Sequence, residues 1–274
     1  PLPDMQEMLD KLVGAEVFST IDMKAAYHQL PLHEESRQLT AFVTHEGVYQ
    51  YRRCCFGLRS LPSCFQKMME AILRGLPGTQ VYLDDVIVSG RTQEEHDSRL
   101  SDVMARLGEH NVTLNKDKCH FGVSRIDFLG FSVSRAGVAV NPSRVQGLKD
   151  MQPPGTAKEL QAALGLFGFY SRFVPRYSTR VEELRRPLRK DAPPFTWTVK
   201  MGEAFDDVRA AILRSSVLAM YDPTLPTVVT SDASDVGIGA VLTQVHPEGE
   251  RVVAFASSTL STAQRHYSVT EREA

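Results

Sequence analysis

Two adjacent carboxylates, Asp84 and Asp85, interrupt an otherwise apolar and β-branched run over residues 81–88. Short apolar runs on either side of the pair are typical of buried strands. A buried carboxylate is unfavourable without a compensating partner, so the sequence predicts a tight hairpin with the acids at its turn, where at least one can face a cation. Taken alone, such a pair is more often an ordinary turn joining two strands.

Asp22 supplies a third carboxylate at the end of an alternating apolar segment, residues 16–22. The chain between Asp22 and Asp84 is long enough to bring both strands into one sheet. Carboxylates at neighbouring strand ends can hold two divalent cations about 4 Å apart, which activate an attacking hydroxyl and stabilise the leaving oxygen of an in-line phosphoryl transfer. Because oxygen-only ligands favour Mg²⁺, we expect two Mg²⁺ ions here, with Mn²⁺ as the second candidate.

Local patterns predict the elements that must position these acids. Helical spacing and capping residues predict helices, and alternation predicts strands. In the first half, helices are predicted at 4–12, 60–73 and 92–110, and strands at 16–22, 39–43, 48–52 and within 119–140. In the second half, helices are predicted to begin at Asn141-Pro142, at Thr156 and near Glu203, and strands at 227–230, 237–243 and 252–256.

Composition excludes several classes of protein. The 274 residues are 42% hydrophobic and 23% charged, which is ordinary globular composition. No apolar run reaches membrane-spanning length. The four cysteines form no Cys-x-x-Cys pair, so we expect reduced thiols rather than a disulfide framework or a zinc site.

Formal charge is distributed unevenly along the chain. Residues 1–134 carry a net charge of −4, residues 135–200 carry +7 and residues 201–274 carry −5. A basic middle, in which Phe173 and Tyr177 lie among arginines, predicts contact with a phosphate backbone. The alternative is a pair of basic helices whose charges only face solvent.

Four segments, in this order, resemble the motifs of gypsy-type retrotransposon reverse transcriptases. Residues 18–29 resemble the first catalytic motif, and residues 56–66 resemble the motif that follows it. Residues 82–85 resemble the tyrosine-x-Asp-Asp signature, and residues 128–131 resemble the primer grip. Four motifs in matching order and spacing are much more specific than one. The segments are FSTIDMKAAYHQ at 18–29, FGLRSLPSCFQ at 56–66, YLDD at 82–85 and FLGF at 128–131.

This resemblance covers essentially the whole chain and implies an α/β (α+β) fold of the right-hand polymerase type. It implies a reverse transcriptase palm with partial fingers over residues 1–134, and a helical thumb and connector over 135–222. The N-terminal part of a ribonuclease H-like domain is implied over 223–274.

For the polymerase site, the resemblance implies that Asp22, Asp84 and Asp85 are catalytic metal ligands. Tyr27 falls at the steric gate, where a bulky ring beneath the incoming sugar would clash with a ribose 2′-OH, the group that distinguishes RNA from DNA. Its alternative role is that of a core aromatic residue.

The resemblance also implies contacts with the nucleotide and the primer. Tyr82 would lie near the primer end, and its alternative role is strand packing. Phe56 would line the nucleotide pocket, or else anchor a turn in the core. Phe128, Leu129 and Gly130 would belong to the primer grip, or else to a core hairpin.

A second acidic site is expected near the C-terminus. The segment 230–242 resembles the first strands of the family's ribonuclease H domain, and the segment 266–273 resembles the start of its first helix. The resemblance implies that Asp232 and Glu273 are catalytic residues that bind metal. Taken alone, Asp232 would more often be a strand-end turn residue.

Two departures from the family pattern matter. Arg52-Arg53-Cys54-Cys55 stands where the family usually has Met-Pro before the Phe, which predicts a freer turn beside the nucleotide pocket. Both ends also look cut, with family finger strands expected before residue 1 and further ribonuclease H acids expected after residue 274. We therefore expect weak or no polymerase activity and no ribonuclease H activity from the isolated chain.

The function implied is that of a retroelement RNA-directed DNA polymerase that transfers dNTPs onto a primer, with a tethered ribonuclease H that degrades the RNA of RNA–DNA hybrids. Its expected partners are an RNA or DNA template and a DNA or RNA primer, without a membrane, in an intracellular, cytoplasmic retroelement particle. The alternatives are a degenerate, non-catalytic remnant that only binds nucleic acid, and a polymerase that copies DNA. The sequence leaves the oligomeric state open.

Overall fold

The computed structural model describes residues 2–190, 192–261, 263–268 and 271–272. The chain divides into two compact units, Pro1–Ile126 and Asp127–Ala274. Helices and strands occur in both units, which confirms the predicted mixed α/β class. The predicted three-part division at residues 134 and 222 stays a prediction.

The first unit is built on a four-stranded antiparallel sheet with strand order β4-β5-β1-β6. Its helices are α1 Met5–Asp10, α2 Glu34–Arg37, α3 Leu61–Ile72 and α4 Gln93–Glu109. Its strands are β1 Val17–Asp22, β2 Phe42–Thr44, β3 Gly47–Tyr49, β4 Thr79–Tyr82, β5 Asp85–Gly90 and β6 His120–Val123. Strands β2 and β3 form a separate hairpin.

One hydrophobic core joins this sheet to α3 and α4. Burying these side chains removes apolar surface from water, at about 25 cal/mol per Å², and fixes the helices against the sheet. Alternation along β1 sends Ile21 into the core. The buried core side chains include Ile21, Val86 and Val88 from the sheet, Phe65 and Met69 from α3, and Val103 and Leu107 from α4.

In the second half, a helical segment lies in the sequence between two three-stranded sheets. Their orders are β7-β8-β9 and β10-β11-β12. The strands are β7 Arg125–Phe128, β8 Phe131–Ser134, β9 Gly137–Val140, β10 Thr227–Ala233, β11 Gly237–His246 and β12 Gly249–Thr259. The helices are α5 Pro142–Lys149, α6 Ala157–Phe169, α7 Tyr177–Arg180, α8 Glu182–Arg185 and α9 Val199–Leu213.

Helix capping works as the sequence predicts. The hydroxyl of Thr92 accepts from the Glu95 N–H and that of Thr156 from the Glu159 N–H, both at 3.2 Å. Each pair begins a helix, because a side-chain acceptor satisfies an N–H group that has no partner within the helix.

Some element boundaries differ from the predicted ones. The pair β2–β3 is shorter than predicted, since Gln38–Thr40 form a 3₁₀ turn before it. Helix α9 begins at Val199 rather than near Glu203, because Thr198 caps it by accepting from the Met201 N–H.

Candidate active site

The predicted hairpin of the two acids is present, with one refinement. Tyr82 pairs with Asp85 across β4 and β5, so the turn consists of Leu83 and Asp84 alone. Leu83 adopts a left-handed backbone conformation with φ of 54°, as two-residue hairpin turns often require. Of the two acids, only Asp84 therefore lies in the turn, and Asp85 is the first residue of β5.

Gln66 of α3 supports this turn through two hydrogen bonds, and this role was not predicted from the sequence. Its side-chain oxygen accepts from the Leu83 N–H at 2.6 Å, and its amide nitrogen donates to the Val81 carbonyl at 2.8 Å. The residue is only 1% exposed. A glutamine at a core position of an amphipathic helix was the available signal, because buried polar groups are almost always hydrogen-bonded.

Asp22 lies directly beside the hairpin, as predicted. Strands β1 and β5 pair antiparallel in a register that sets Asp22 opposite Asp85. The backbone of Asp22 is anchored on its other side, since its carbonyl accepts from the Asn115 N–H at 2.9 Å and its N–H points to the Cys119 thiol at 3.4 Å. The last residue of β1 is thereby fixed in place.

The three carboxylates repel one another. Partial desolvation raises the pKa of Asp85, and the charges of Asp84 and Asp22 raise it further, while Lys118 lowers it. Within the described residues, no hydrogen bond or ion pair engages the carboxylate of Asp22, Asp84 or Asp85. Three acids at one sheet end, which Lys118 compensates only through its effect on Asp85, are a fitting environment for a divalent cation, which would relieve this repulsion.

The described residues contain no ready-made group of three or more His, Cys, Asp or Glu side chains that could hold a metal ion. The set of Asp22, Asp84 and Asp85 as metal ligands therefore stays a prediction. Mg²⁺ commonly binds through one or two carboxylates together with water and substrate phosphates rather than in an all-protein cage. The arrangement of the acids fits that mode of binding.

Tyr27 lies in an aromatic cluster next to these acids. Its ring meets Phe56 and Phe65 edge-on, with centroid distances of 5.5 and 5.4 Å. Burial raises the pKa of the Tyr27 hydroxyl, and the negative charge of Asp84 raises it further. Tyr27 is half-buried, so its phenol lies between the packed core and the acidic turn.

Phe56 is 72% exposed, which contradicts its alternative role as a buried core residue. Its ring lies at the surface beside Tyr27, where it is available to a ligand. Tyr82 is half-buried at the end of β4, and its predicted place near the primer end stays a prediction.

The segment before Phe56 is held in place, contrary to the freer turn expected from its missing proline. Arg53 donates to the Gln29 carbonyl at 2.6 Å, and the Cys54 N–H donates to the Leu30 carbonyl at 2.9 Å. These bonds fix residues 53 and 54 against the segment that carries Tyr27. All four cysteines are free thiols, as predicted.

The predicted primer grip is a two-residue hairpin turn. Leu129 and Gly130 join β7 to β8 with φ of 50° and 83°, while Phe128 is buried. A Cβ at position 130 would lie 3.2 Å from the Phe169 ring, so glycine is favoured there by close packing as well as by its backbone conformation. The buried Phe128 supports a packing role, and primer contact stays a prediction for all three residues.

Most of the basic run after residue 170 is neutralised within the protein. Four of its arginines form ion pairs with carboxylates, and the buried Glu182 receives two of them. A run of positive charge in the sequence is therefore weaker evidence for phosphate binding than its count suggests. The pairs are Arg176–Asp232, Arg180–Asp207, Arg186–Glu183, Arg186–Glu182 and Arg189–Glu182.

Asp232 is the penultimate residue of β10 and is exposed, and Arg176 binds its carboxylate. The residue opposite Asp232 on β11 is Gly239. A Cβ at Gly239 would lie 3.3 Å from the Arg176 side chain, so this glycine leaves room for the arginine to lie against the sheet. Asp235 pairs with Arg272, and Glu273 lies outside the described residues.

Comparisons with known proteins identify two domains in the chain. The profile of the family "Reverse transcriptase (RNA-dependent DNA polymerase)" matches residues 1–133. The profile "RNase H-like domain found in reverse transcriptase" matches residues 197–274.

Relatives match over the full length of the chain. It is 37% identical to the retrovirus-related Pol polyprotein from transposon 297 of Drosophila melanogaster and 32% identical to that from transposon opus. It is 29% identical to the transposon Tf2-3 polyprotein of Schizosaccharomyces pombe. The chain spans 26%, 28% and 21% of these three relatives, so it corresponds to about a quarter of their length or less.

Solved structures match the fold. A foamy viral protease-reverse transcriptase dRH in complex with double-stranded DNA is 26% identical, with a TM-score of 0.89 over 100% of this chain and 49% of the other. A foamy viral protease-reverse transcriptase in complex with an RNA/DNA hybrid is 25% identical, with a TM-score of 0.84 over 100% of this chain and 37% of the other. The chain therefore belongs to the reverse transcriptase family of Ty3/gypsy-like retrotransposon polyproteins and carries an RNase H-like domain after the polymerase region.

Proposed function

We propose that this chain carries the site of a two-metal DNA polymerase, which adds dNTPs to a primer. The observation that carries the proposal is the pairing of Asp22 with Asp85 across two strands, beside a turn that presents Asp84. Family membership supports nucleotidyl transfer as the reaction, and the mutual repulsion of the acids supports the metal requirement.

The three acids of the site would bind the metal ions. Asp22 and Asp84 would hold the metal ions, and Asp85 would be the third ligand. When bound, two Mg²⁺ ions would activate the primer hydroxyl and stabilise the charge on the departing pyrophosphate; Mn²⁺ has ligand preferences close to those of Mg²⁺. Mg²⁺ is favoured because the ligands are all oxygens.

Nucleotide selection would use the aromatic cluster. Tyr27 would lie beneath the sugar of the incoming nucleotide and exclude a ribose 2′-OH. Phe56 would contact the nucleotide through its exposed ring, and Tyr82 would lie near the primer end. Phe128, Leu129 and Gly130 would form the primer grip, with the turn at residues 129 and 130 as its exposed part.

The substrates would be an RNA or DNA template with a DNA or RNA primer. Related foamy viral enzymes have been solved with double-stranded DNA and with an RNA/DNA hybrid, which supports duplex binding by this chain as well. Arg144, Lys149 and Lys158 are the exposed cations of α5 and α6 that form no ion pair within the described residues. We therefore place phosphate contacts on α5 and α6 rather than on the neutralised arginines that follow them.

The RNase H-like domain would use Asp232 and Glu273 as metal ligands to cleave the RNA of RNA–DNA hybrids. In the full-length polyprotein this would remove the copied template, in an intracellular, cytoplasmic retroelement particle. Within the described residues no helix is long and apolar enough to cross a bilayer. The palm and partial fingers at 1–134, the thumb and connector at 135–222 and the RNase H-like part at 223–274 complete the proposed organisation.

The test is primer extension on RNA and on DNA templates by a polyprotein segment that contains this chain. We expect Mg²⁺-dependent extension on RNA that falls by on the order of 10²-fold or more in Asp84→Asn, because losing a metal ligand removes several kcal/mol of transition-state stabilisation. Asp102→Asn is the matched control, since Asp102 is an exposed aspartate on α4. Equal extension by Asp84→Asn and the parent would contradict the proposal.

The same assay distinguishes an RNA-templated polymerase from the two alternative functions. Extension on DNA but not on RNA would identify a DNA-templated polymerase. Binding of primer–template without extension, in the parent as well as in Asp84→Asn, would identify a non-catalytic remnant.

A further inference from the structure

A cavity of about 380 Å³ opens into the first unit between α3, the end of α4 and the segment after β1. Four of its lining residues are buried and form its floor: Met23, Phe65, Met69 and Ile72. Its mouth is formed by the exposed residues Ala71, His110 and Asn111. The volume lies within the range of small-molecule sites in proteins, about 300–1,000 Å³.

Seven of the ten lining residues are apolar, and the polar ones are Gln29, His110 and Asn111. None of the lining residues is Asp, Glu, Lys or Arg, and His110 at the mouth is the one titratable group among them. A charged ligand would therefore be desolvated without a counter-charge, which is strongly unfavourable.

The main polar group within the cavity is already satisfied. The amide nitrogen of Gln29 donates to the carbonyls of Lys24 and Thr113 at 2.7 and 2.9 Å, and its oxygen accepts from the Thr113 N–H at 2.8 Å. Gln29 thus closes one wall and has little capacity left to hold a polar ligand.

Three of the lining residues are methionines, at positions 23, 68 and 69. Methionine side chains are unbranched and polarizable, so they adapt to the shape of an apolar or aromatic guest. This part of the wall can move to fit a ligand without breaking a hydrogen bond.

We propose that this cavity is a binding site for an uncharged, largely apolar small molecule, of which an aromatic ring is the best representative. None of the three acids of the proposed polymerase centre lines this cavity, although Met23 directly follows Asp22, and binding here does not depend on the role of the acids. Phe65, one of the lining residues, also packs edge-on against Tyr27 at 5.4 Å.

The test is a titration of the 274-residue chain with ¹³C-methyl-labelled methionine, observed by NMR. The probe is 1-naphthalenemethanol, an uncharged aromatic alcohol. The charge controls share the same ring: 1-naphthoate as the anion and 1-naphthylmethylamine as the cation. We expect saturable shifts of the Met23, Met68 and Met69 methyl resonances but not of Met5 or Met201, which lie outside the cavity. We expect both charged probes to bind about tenfold or more weakly, because their charge would be desolvated.

A matched pair of substitutions locates the site. Ala71→Phe places a bulky side chain at the mouth and is expected to weaken binding of the alcohol at least about fivefold, by occupying the volume that the ligand needs. Ala105→Phe, at an exposed alanine of α4, is expected to leave binding unchanged. Equal shifts at Met201, equal binding of the anion or cation, or binding unaffected by Ala71→Phe would each overturn the proposal.

Discussion

At the scale of single residues, Asp85 is set apart from an ordinary surface aspartate by its neighbours. It is the first residue of β5, faces Asp22 across the sheet and follows Asp84 in the turn. Burial of its carboxyl and both negative charges act in the same direction on its pKa. A carboxyl whose pKa is raised by folding favours the folded state at low pH, and this contribution is lost as the pH rises through the raised pKa.

We expect Asp84→Asn to lower the pKa of Asp85 without restoring its ordinary value. The substitution removes one of the two repelling charges but leaves the desolvation, which is the largest cause of the shift. Titration of the side-chain carboxyl ¹³C resonances by NMR measures the effect, with Asp102→Asn as the control that leaves it unchanged. An Asp85 pKa that stays the same or rises in Asp84→Asn would show that the two side chains do not interact.

A second prediction at the residue scale concerns Arg176 and rests on the proposed metal-binding role of Asp232. Because its guanidinium occupies the carboxylate of Asp232, a metal ion must compete with it. We expect Arg176→Ala to tighten Mn²⁺ binding by about two- to fivefold, the range of an exposed ion pair worth up to about 1 kcal/mol.

Electron paramagnetic resonance of free Mn²⁺ measures this affinity in a protein whose Asp22, Asp84 and Asp85 are changed to Asn. Arg180→Ala is the matched control, since Arg180 pairs with Asp207 instead. If Asp232→Asn itself leaves Mn²⁺ binding unchanged, Asp232 is not a ligand. If Asp232→Asn weakens binding while Arg176→Ala does not tighten it, the competition is absent.

At the scale of elements, two buried glutamines near the hairpin have opposite environments. Gln66 of α3 bonds to the turn at Leu83 and to strand β4 at Val81. Gln80 of β4 is also buried, but neither polar atom of its side chain has a hydrogen-bond partner within the described residues. The first residue holds two elements together, and the second carries an uncompensated desolvation cost.

The substitutions Gln66→Met and Gln80→Met should therefore change stability in opposite directions. Gln66→Met leaves the half-buried Leu83 N–H without its acceptor and should lower the free energy of unfolding by about 1–3 kcal/mol. Gln80→Met removes unsatisfied polar atoms and should raise it by about 1 kcal/mol. Urea denaturation followed by circular dichroism compares the two variants, and the same sign for both would refute this account of the turn.

Ser19, His96 and Asp97 form a chain of hydrogen bonds that has the order of a hydrolytic triad. His96 lies 2.8 Å from the Ser19 hydroxyl and 2.9 Å from the Asp97 carboxylate. Ser19 and His96 are fully buried, and the Ser19 hydroxyl also accepts from the Gly122 N–H at 3.0 Å. The network therefore ties β1 to α4 and β6, and the buried serine is closed to a substrate.

Elements with strong local signals could be predicted from the sequence. The hairpin of the two acids, strand β1 and the helices that follow Thr92 and Thr156 depend on alternation or on caps within a few residues. The start of α9 depends on its cap at Thr198 and the length of β2 on the 3₁₀ turn before it, and both differ from the predicted positions by a few residues.

At the scale of the whole molecule, the pairing of distant residues could not be derived from spacing. The register that sets Asp22 opposite Asp85 depends on how two strands meet, and the support from Gln66 depends on a helix packing behind them. The net charge of the sequence likewise does not reveal ion pairs. Glu182, which is only 4% exposed, pairs with Arg186, Arg189 and Arg265. Ion pairs of this kind, in which a buried carboxylate binds exposed arginines, use positive charge that would otherwise be available to a phosphate backbone.

The most direct measurement of the central claim is anomalous X-ray scattering from Mn²⁺. Crystals of a polyprotein segment containing this chain would be grown with a primer–template and a non-hydrolysable dNTP analogue. We predict two anomalous peaks about 4 Å apart, the spacing of two-metal sites, both within coordination distance of Asp22 or Asp84. Peaks that contact neither carboxylate, or the same peaks in Asp84→Asn, would contradict the proposed polymerase centre.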